Sequence, residues 1–96
     1  MKPVRFHAEA EAELLDAVAF YETRSAGLGR RFVLSIQEAS GRLAANPDLY
    51  PVVEGDVRRC LAKTFPYALL FRAMDKCLVI VAVMHLHREP GYWKSR

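Results

Sequence analysis

The chain reads as an α+β protein, with an N-terminal strand and an antiparallel helical hairpin packed on a C-terminal antiparallel β-sheet. Three observations predict this. Apolar residues recur at helical spacing from about residue 8 to residue 45, and a glycine-rich break at Ser25-Ala26-Gly27-Leu28-Gly29 cuts that region in two. Beyond Gly55 the period shortens, and strand-like runs follow one another.

Val4-Arg5-Phe6 alternates apolar and charged, with Pro3 ahead of it where a missing N–H matters least, so it is predicted to be a short strand. From Ala8 to about Arg24 the chain is rich in Ala, Glu and Leu, all good helix formers. Ala10, Leu14, Val18 and Tyr21 form its apolar stripe; Glu9, Glu13 and Asp16 form the opposite row, which is expected to be a solvated face. Gly27 can supply a left-handed cap. Leu28, Phe32, Ile36, Ala39 and Leu43 then trace a second stripe, which Asn46-Pro47 stops. A short glycine loop between two helices makes a hairpin.

Residues Pro47 to Gly55 read as a loop, punctuated by Pro51 and Gly55. Three strands are predicted after it, near Val57–Ala62, Tyr67–Arg72 and Cys77–His85. Ala73-Met74-Asp75-Lys76 suits a hairpin turn between the last two. The final run is apolar on both faces, as a central strand is.

At 96 residues the chain is predicted to form one domain spanning 1–96. Its net charge of +3 conceals an asymmetry. Residues 1–24 carry three cations against five acids, whereas residues 58–96 carry eight cations against two acids. Such a basic half suits phosphate or an acidic protein surface. Two cysteines, Cys60 and Cys77, are too few for a disulfide framework and lack a C-x-x-C partner. No apolar run has the length of a signal peptide core or a membrane span, so a soluble, cytoplasmic protein without membrane contact is expected. Motifs of nucleotide hydrolases, zincins and α/β hydrolases are absent, and no cofactor is expected.

The order of pieces resembles the RelE/ParE superfamily of type II toxin–antitoxin toxins, on its ParE-like side, over essentially the whole chain. The resemblance rests on Phe6-His7-Ala8-Glu9-Ala10-Glu11, Ala19-Phe20-Tyr21-Glu22 and Gly27-Leu28-Gly29-Arg30-Arg31-Phe32. It continues through Asn46-Pro47, Tyr50-Pro51, Arg58-Arg59, Phe65-Pro66-Tyr67, Ala82-Val83-Met84-His85 and Arg88-Glu89-Pro90-Gly91-Tyr92-Trp93. It implies a plasmid-stabilisation type of toxin, neutralised by an antitoxin that wraps around it in a hetero-oligomer. ParE-like members inhibit DNA gyrase and hence replication. RelE-like members are ribosome-dependent mRNA endonucleases, which is the alternative, together with an inert antitoxin-binding member.

A nuclease needs a general base, a general acid and cations to offset charge growing on phosphate. Arg59, Lys63, Arg72 and Arg88 are candidate cations, with His85, His87 and Tyr92 as candidates for proton transfer. The competing reading gives the arginines carboxylate partners within the sheet and has the histidines satisfy backbone groups. The middle strands, Cys60-Leu61-Ala62 and Ala68-Leu69-Leu70-Phe71, are mostly apolar, unlike the denser basic cluster usual in RelE-like nucleases, so a non-enzymatic inhibitor is the expectation. His85-x-His87 lacks a third convergent ligand, and no metal site is expected. Antitoxin or target binding is assigned to Phe20, Tyr21, Arg58, Arg59, Arg72, Arg88, Tyr92 and Trp93. The apolar part of that surface is expected as a groove between hairpin and sheet, and Tyr92-Trp93 are expected to anchor the tail.

Overall fold

The computed structural model describes residues 1–96. Strand β1 (Val4–Phe6) leads into helix α1 (Ala8–Arg24) and helix α2 (Leu28–Ala45). A 3-10 turn at Pro47–Leu49 precedes β2 (Val52–Glu54), β3 (Val57–Leu61), β4 (Tyr67–Ala73) and β5 (Leu78–His85). The predicted helices stand where periodicity placed them. The region expected to be a bare loop does not: Val52–Glu54 pairs antiparallel with β3 and adds an edge strand. The three residues between Pro51 and Gly55 are too few to show a period. The neighbour's unpaired backbone, rather than propensity, makes them a strand.

Sheet order is β1-β5-β4-β3-β2. β2 through β5 are antiparallel neighbours, whereas β1 runs parallel to β5, with Val4 opposite Leu78 and Phe6 opposite Ile80. The sheet is therefore mixed. Apolar β5 takes its place between β1 and β4.

One face of the sheet carries the helices. Phe32, Ile36, Ala39 and Leu43 of α2 pack with Cys60, Leu69, Phe71, Leu78, Ile80 and Val83, all at most 2% exposed. Tyr21, Phe32, Phe65 and Tyr67 form an aromatic knot, with ring centroids 4.8–6.2 Å apart. Edge-on contacts of this kind add roughly 0.5–1.5 kcal/mol each beyond area burial. Polar ties support the packing: Arg42 Nη2 donates to the Leu61 carbonyl at 2.8 Å and Ser35 Oγ to the Lys63 carbonyl at 2.6 Å.

Two glycines shape the helical turn. Gly27, at φ +86°, takes the left-handed conformation. At Gly29 a Cβ would lie 2.8 Å from the Val18 carbonyl oxygen, so only hydrogen allows α2 to start this close to α1. The Glu22 carboxylate accepts from both Gly27 N and Gly29 N at 3.0 Å, meeting the free amides at the start of α2.

The opposite face carries the tail that follows β5. Trp93, 6% exposed, packs with Val57, Ala68, Leu70, Val81 and Ala82, and Tyr92 packs beside that cluster. A register shift between β4 and β5 makes this possible. Leu70 faces Ala82 while Phe71 faces Ile80, leaving Val81 as an extra residue. After the bulge Val81 and Ala82 both belong to the tail-side cluster, and Val83 returns to the helix-side core.

Candidate partner-binding site

The tail does not cover its face completely. Between β2, the ends of β3 to β5 and the tail lies a cleft of about 460 Å³. Leu70, Met84 and Trp93 contribute apolar surface, Val53 and Leu86 add partly exposed aliphatic side chains, and Arg59, Arg88 and Lys94 supply the cations. Strand parity explains the composition. On β3, Arg59 shares a face with Val57, while Cys60 turns to the helix-side core.

The cations of this region differ in how far the molecule already engages them. The exposed Arg59 side chain has no carboxylate or hydrogen-bond partner within the chain. Arg88 lies over the Tyr92 ring, its guanidinium carbon 4.0 Å from the centroid. Lys94 meets Glu54 at 3.1 Å, but both side chains are more than half exposed, and such a pair contributes little.

Arg72 is already held. It lies 3.4 Å from Asp56 and donates through Nη1 to the main-chain oxygen of Arg96 at 2.9 Å, so it clasps the tail. Arg58 Nη1 donates to the Tyr50 and Asp48 carbonyls, at 2.7 and 3.3 Å, and pins the loop before β2. It alternates with Arg59 along β3 and joins no common rim with it. Of the four arginines assigned to binding, Arg59 and Arg88 thus line the cleft, whereas Arg58 and Arg72 do not.

The candidates for proton transfer do not gather there either. Tyr92 lies on the other side of the tail, and burial, aided by the neighbouring Glu13 carboxylate, pushes its phenol far above the ordinary tyrosine value. His85 Nδ1 accepts from His87 N at 3.0 Å, as the structural reading of the histidines has it. His87 itself is exposed and lies outside the cleft lining. Of Arg59, Arg72, His87, Arg88 and Tyr92, the cleft brings together only the two arginines Arg59 and Arg88.

Two further expectations need correction. The groove expected between hairpin and sheet is closed under α2, where Phe32, Ile36 and Leu43 join the core above β3 and β4, and it persists only as a shallow groove along α1. Tyr21 belongs to that packing, while Phe20, half exposed beneath the Arg24 guanidinium, stands at a shallow groove between α1 and the end of β5.

Glu13 is not part of a solvated row. Its carboxylate accepts from Arg96 Nη1 at 2.8 Å and from the Val83 amide at 3.0 Å, and Arg96 Nη1 also donates to the Val81 carbonyl at 3.0 Å. The two side chains are only 8% and 16% exposed. They satisfy β5 backbone groups along the stretch where β1 no longer runs beside it. Helical spacing gave no sign of this, since the partner lies at the other end of the sequence.

Comparison with known proteins supplies the context. Residues 4–90 match the family model described as the ParE toxin of the type II toxin–antitoxin system parDE. The fold is similar to a solved structure titled as a chromosomal ParDE toxin–antitoxin system from P. aeruginosa. The TM-score is 0.74 at 21% identity, covering 91% of this chain and 98% of that one. No curated protein matches the sequence. No helix is long and apolar enough to cross a membrane.

Proposed function

The chain belongs to the ParE family of type II toxin–antitoxin toxins, and we propose that it acts by protein–protein contact on DNA gyrase, so blocking replication, and is neutralised by direct binding of its antitoxin. One observation supports the non-catalytic reading: the cleft gathers Arg59 and Arg88 but none of the candidate proton-transfer groups. Cations without a positioned base and acid can bind an anion but give it no route to cleavage. Tyr92 and Arg72 are committed to holding the tail.

The antitoxin contact is assigned to the exposed members of the candidate set: Phe20 on α1, Arg59 on the opposite face, and Arg88, which borders both the groove beside Phe20 and the tail-side cleft. An amphipathic segment that wraps the molecule can reach both faces, burying apolar side chains beside Phe20 and placing acids at the arginines. Tyr21, Arg58, Arg72, Tyr92 and Trp93 then contribute by keeping the surface in shape.

The test is expression without the antitoxin, with DNA-damage signalling and mRNA integrity followed in one culture. Filamentation with induced DNA repair is the expected result. Cuts within translated codons would replace the gyrase reading with a ribosome-dependent nuclease, and undisturbed growth would identify an inert, antitoxin-binding member. Restored growth on co-expression of a short acidic neighbouring gene product is the expected sign of neutralisation.

A further inference from the structure

We infer that the loop between β3 and β4, together with α2 beside it, binds a terminal phosphate group carried by a small molecule. The site shares no lining residue with the tail-side cleft. Its mark is a strained residue. Thr64 has φ +75° and is alone among the non-glycine residues in taking a positive φ. A β-branched residue rarely adopts this conformation, which persists only where the surroundings impose it. Here the bracing is visible. Ser35 Oγ donates to the Lys63 carbonyl at 2.6 Å, Ala62 N to the Tyr67 carbonyl at 2.9 Å, and Tyr67 N to the Phe65 carbonyl at 2.8 Å.

The bracing leaves a run of unused donors. The main-chain amides of Lys63, Thr64 and Phe65 donate to no group within the chain. Consecutive amides in a loop turned through a left-handed residue form a concave donor set of the kind that holds anions. Charge favours the same ligand. Arg31 and Lys63 line one cleft with Thr64, whose hydroxyl adds a further donor. The exposed Arg31 has no carboxylate or hydrogen-bond partner within the chain. Glu38, the one acid of the lining, is engaged by Arg42 at 2.6 Å, and its 3.7 Å contact with the exposed Lys63 contributes little.

Three amides, a guanidinium, an ammonium and a hydroxyl suit the several oxygens of a phosphate better than the two of a carboxylate. Size and charge then separate a small ligand from a nucleic acid. The cleft is about 310 Å³ and sets two cations against one acid, whereas a phosphodiester chain calls for a track of cations along its length. Leu34, half exposed, and the partly buried Phe65 offer apolar surface to the body of the ligand.

The experiment titrates inorganic phosphate and AMP into the full, isotope-labelled chain at constant ionic strength, following the main-chain amide resonances. Adenosine and a single-stranded oligonucleotide without terminal phosphates are the comparison ligands. Saturable shifts at Lys63, Thr64 and Phe65 are expected with phosphate and with AMP, and none with adenosine. Arg31→Gln, at an exposed position, is expected to weaken binding about tenfold. Lys76→Gln, in the turn between β4 and β5, is expected to leave it unchanged. Absence of saturation, shifts centred on other amides, an equal response to adenosine, equal affinity of the Arg31→Gln and Lys76→Gln variants, or tighter binding of the oligonucleotide would each overturn the inference. The toxin reading does not depend on the outcome, since growth arrest without the antitoxin is scored separately.

Discussion

The two faces of this sheet are built on different principles. The helix side is closed by large apolar side chains, with Phe32, Leu43, Leu69, Phe71, Leu78 and Ile80 at or near zero exposure. The tail side buries a smaller cluster and depends on polar clasps: Arg72 on the Arg96 main chain, and Arg96 on Glu13 and Val81. Dense apolar packing holds a surface in one arrangement but leaves little to recognise. A lightly covered face keeps cations and aliphatic side chains accessible beside one another. In this molecule dense packing is concentrated on the first face, and the unpaired Arg59 lies on the second.

That contrast can be broken most forcefully from the helix side. Phe32→Ala removes the centre of the aromatic knot and is expected to cost about 4 kcal/mol in denaturant unfolding. Trp93→Ala, the matching cut on the tail side, is expected to cost about 3 kcal/mol, because a tail can settle where a helix cannot. A loss at Trp93 larger than at Phe32 would reverse the ranking of the faces. Arg96→Ala leaves Glu13 mostly buried without its cation and should cost about 2 kcal/mol. Glu13→Gln in the Arg96→Ala background should recover part of that loss if the ion pair is the cause.

Alkali gives a gentler probe. Burial raises the phenols of Tyr50, Tyr67 and Tyr92 above the ordinary tyrosine value. Unfolded chains lose these protons near pH ~10 while the folded state keeps them. The stability they contribute is therefore complete below that pH and is lost as pH rises through the folded values. Thermal melts should show Tm falling above about pH 10, and Tyr92→Phe should flatten the fall. The smallest expected effect on stability is that of Arg59→Glu, within about 0.5 kcal/mol of the parent. If it unfolds the protein, Arg59 belongs to the scaffold and not to the recognition surface.

The helices were fully legible in the sequence, because two stripes of apolar residues at spacings of three and four leave one way to bury them. Gly27 and the Asn46-Pro47 stop were legible for a similar reason: each imposes a backbone geometry on its own. The parts that escaped are decided by partners far away in sequence. β2 exists because β3 offers it backbone groups, and three residues carry no period. The bulge at Val81 is invisible in a run that is apolar on both faces. Glu13 reads as one more acid on a polar row until Arg96 is brought beside it. Of the candidate site, Arg59 and Arg88 could be picked from charge alone, but Arg58 and Arg72 could not be told from them, since the difference lies in which carbonyls and carboxylates the fold places nearby.

The parallel pairing of β1 with β5 joins strands from the two ends of the fold, and the Glu13–Arg96 clasp repeats that closure. Local contacts let the helical hairpin form early, but this long-range pairing carries the greatest loop-closure cost and waits for β5. On the ribosome, Val4–Phe6 emerges before β5 and has no strand to join until Leu78–Ile80 follows. Any surface that depends on the closed sheet thus comes into being only after Leu78–Ile80 has been made. A nascent chain can hold a finished hairpin and still lack that surface.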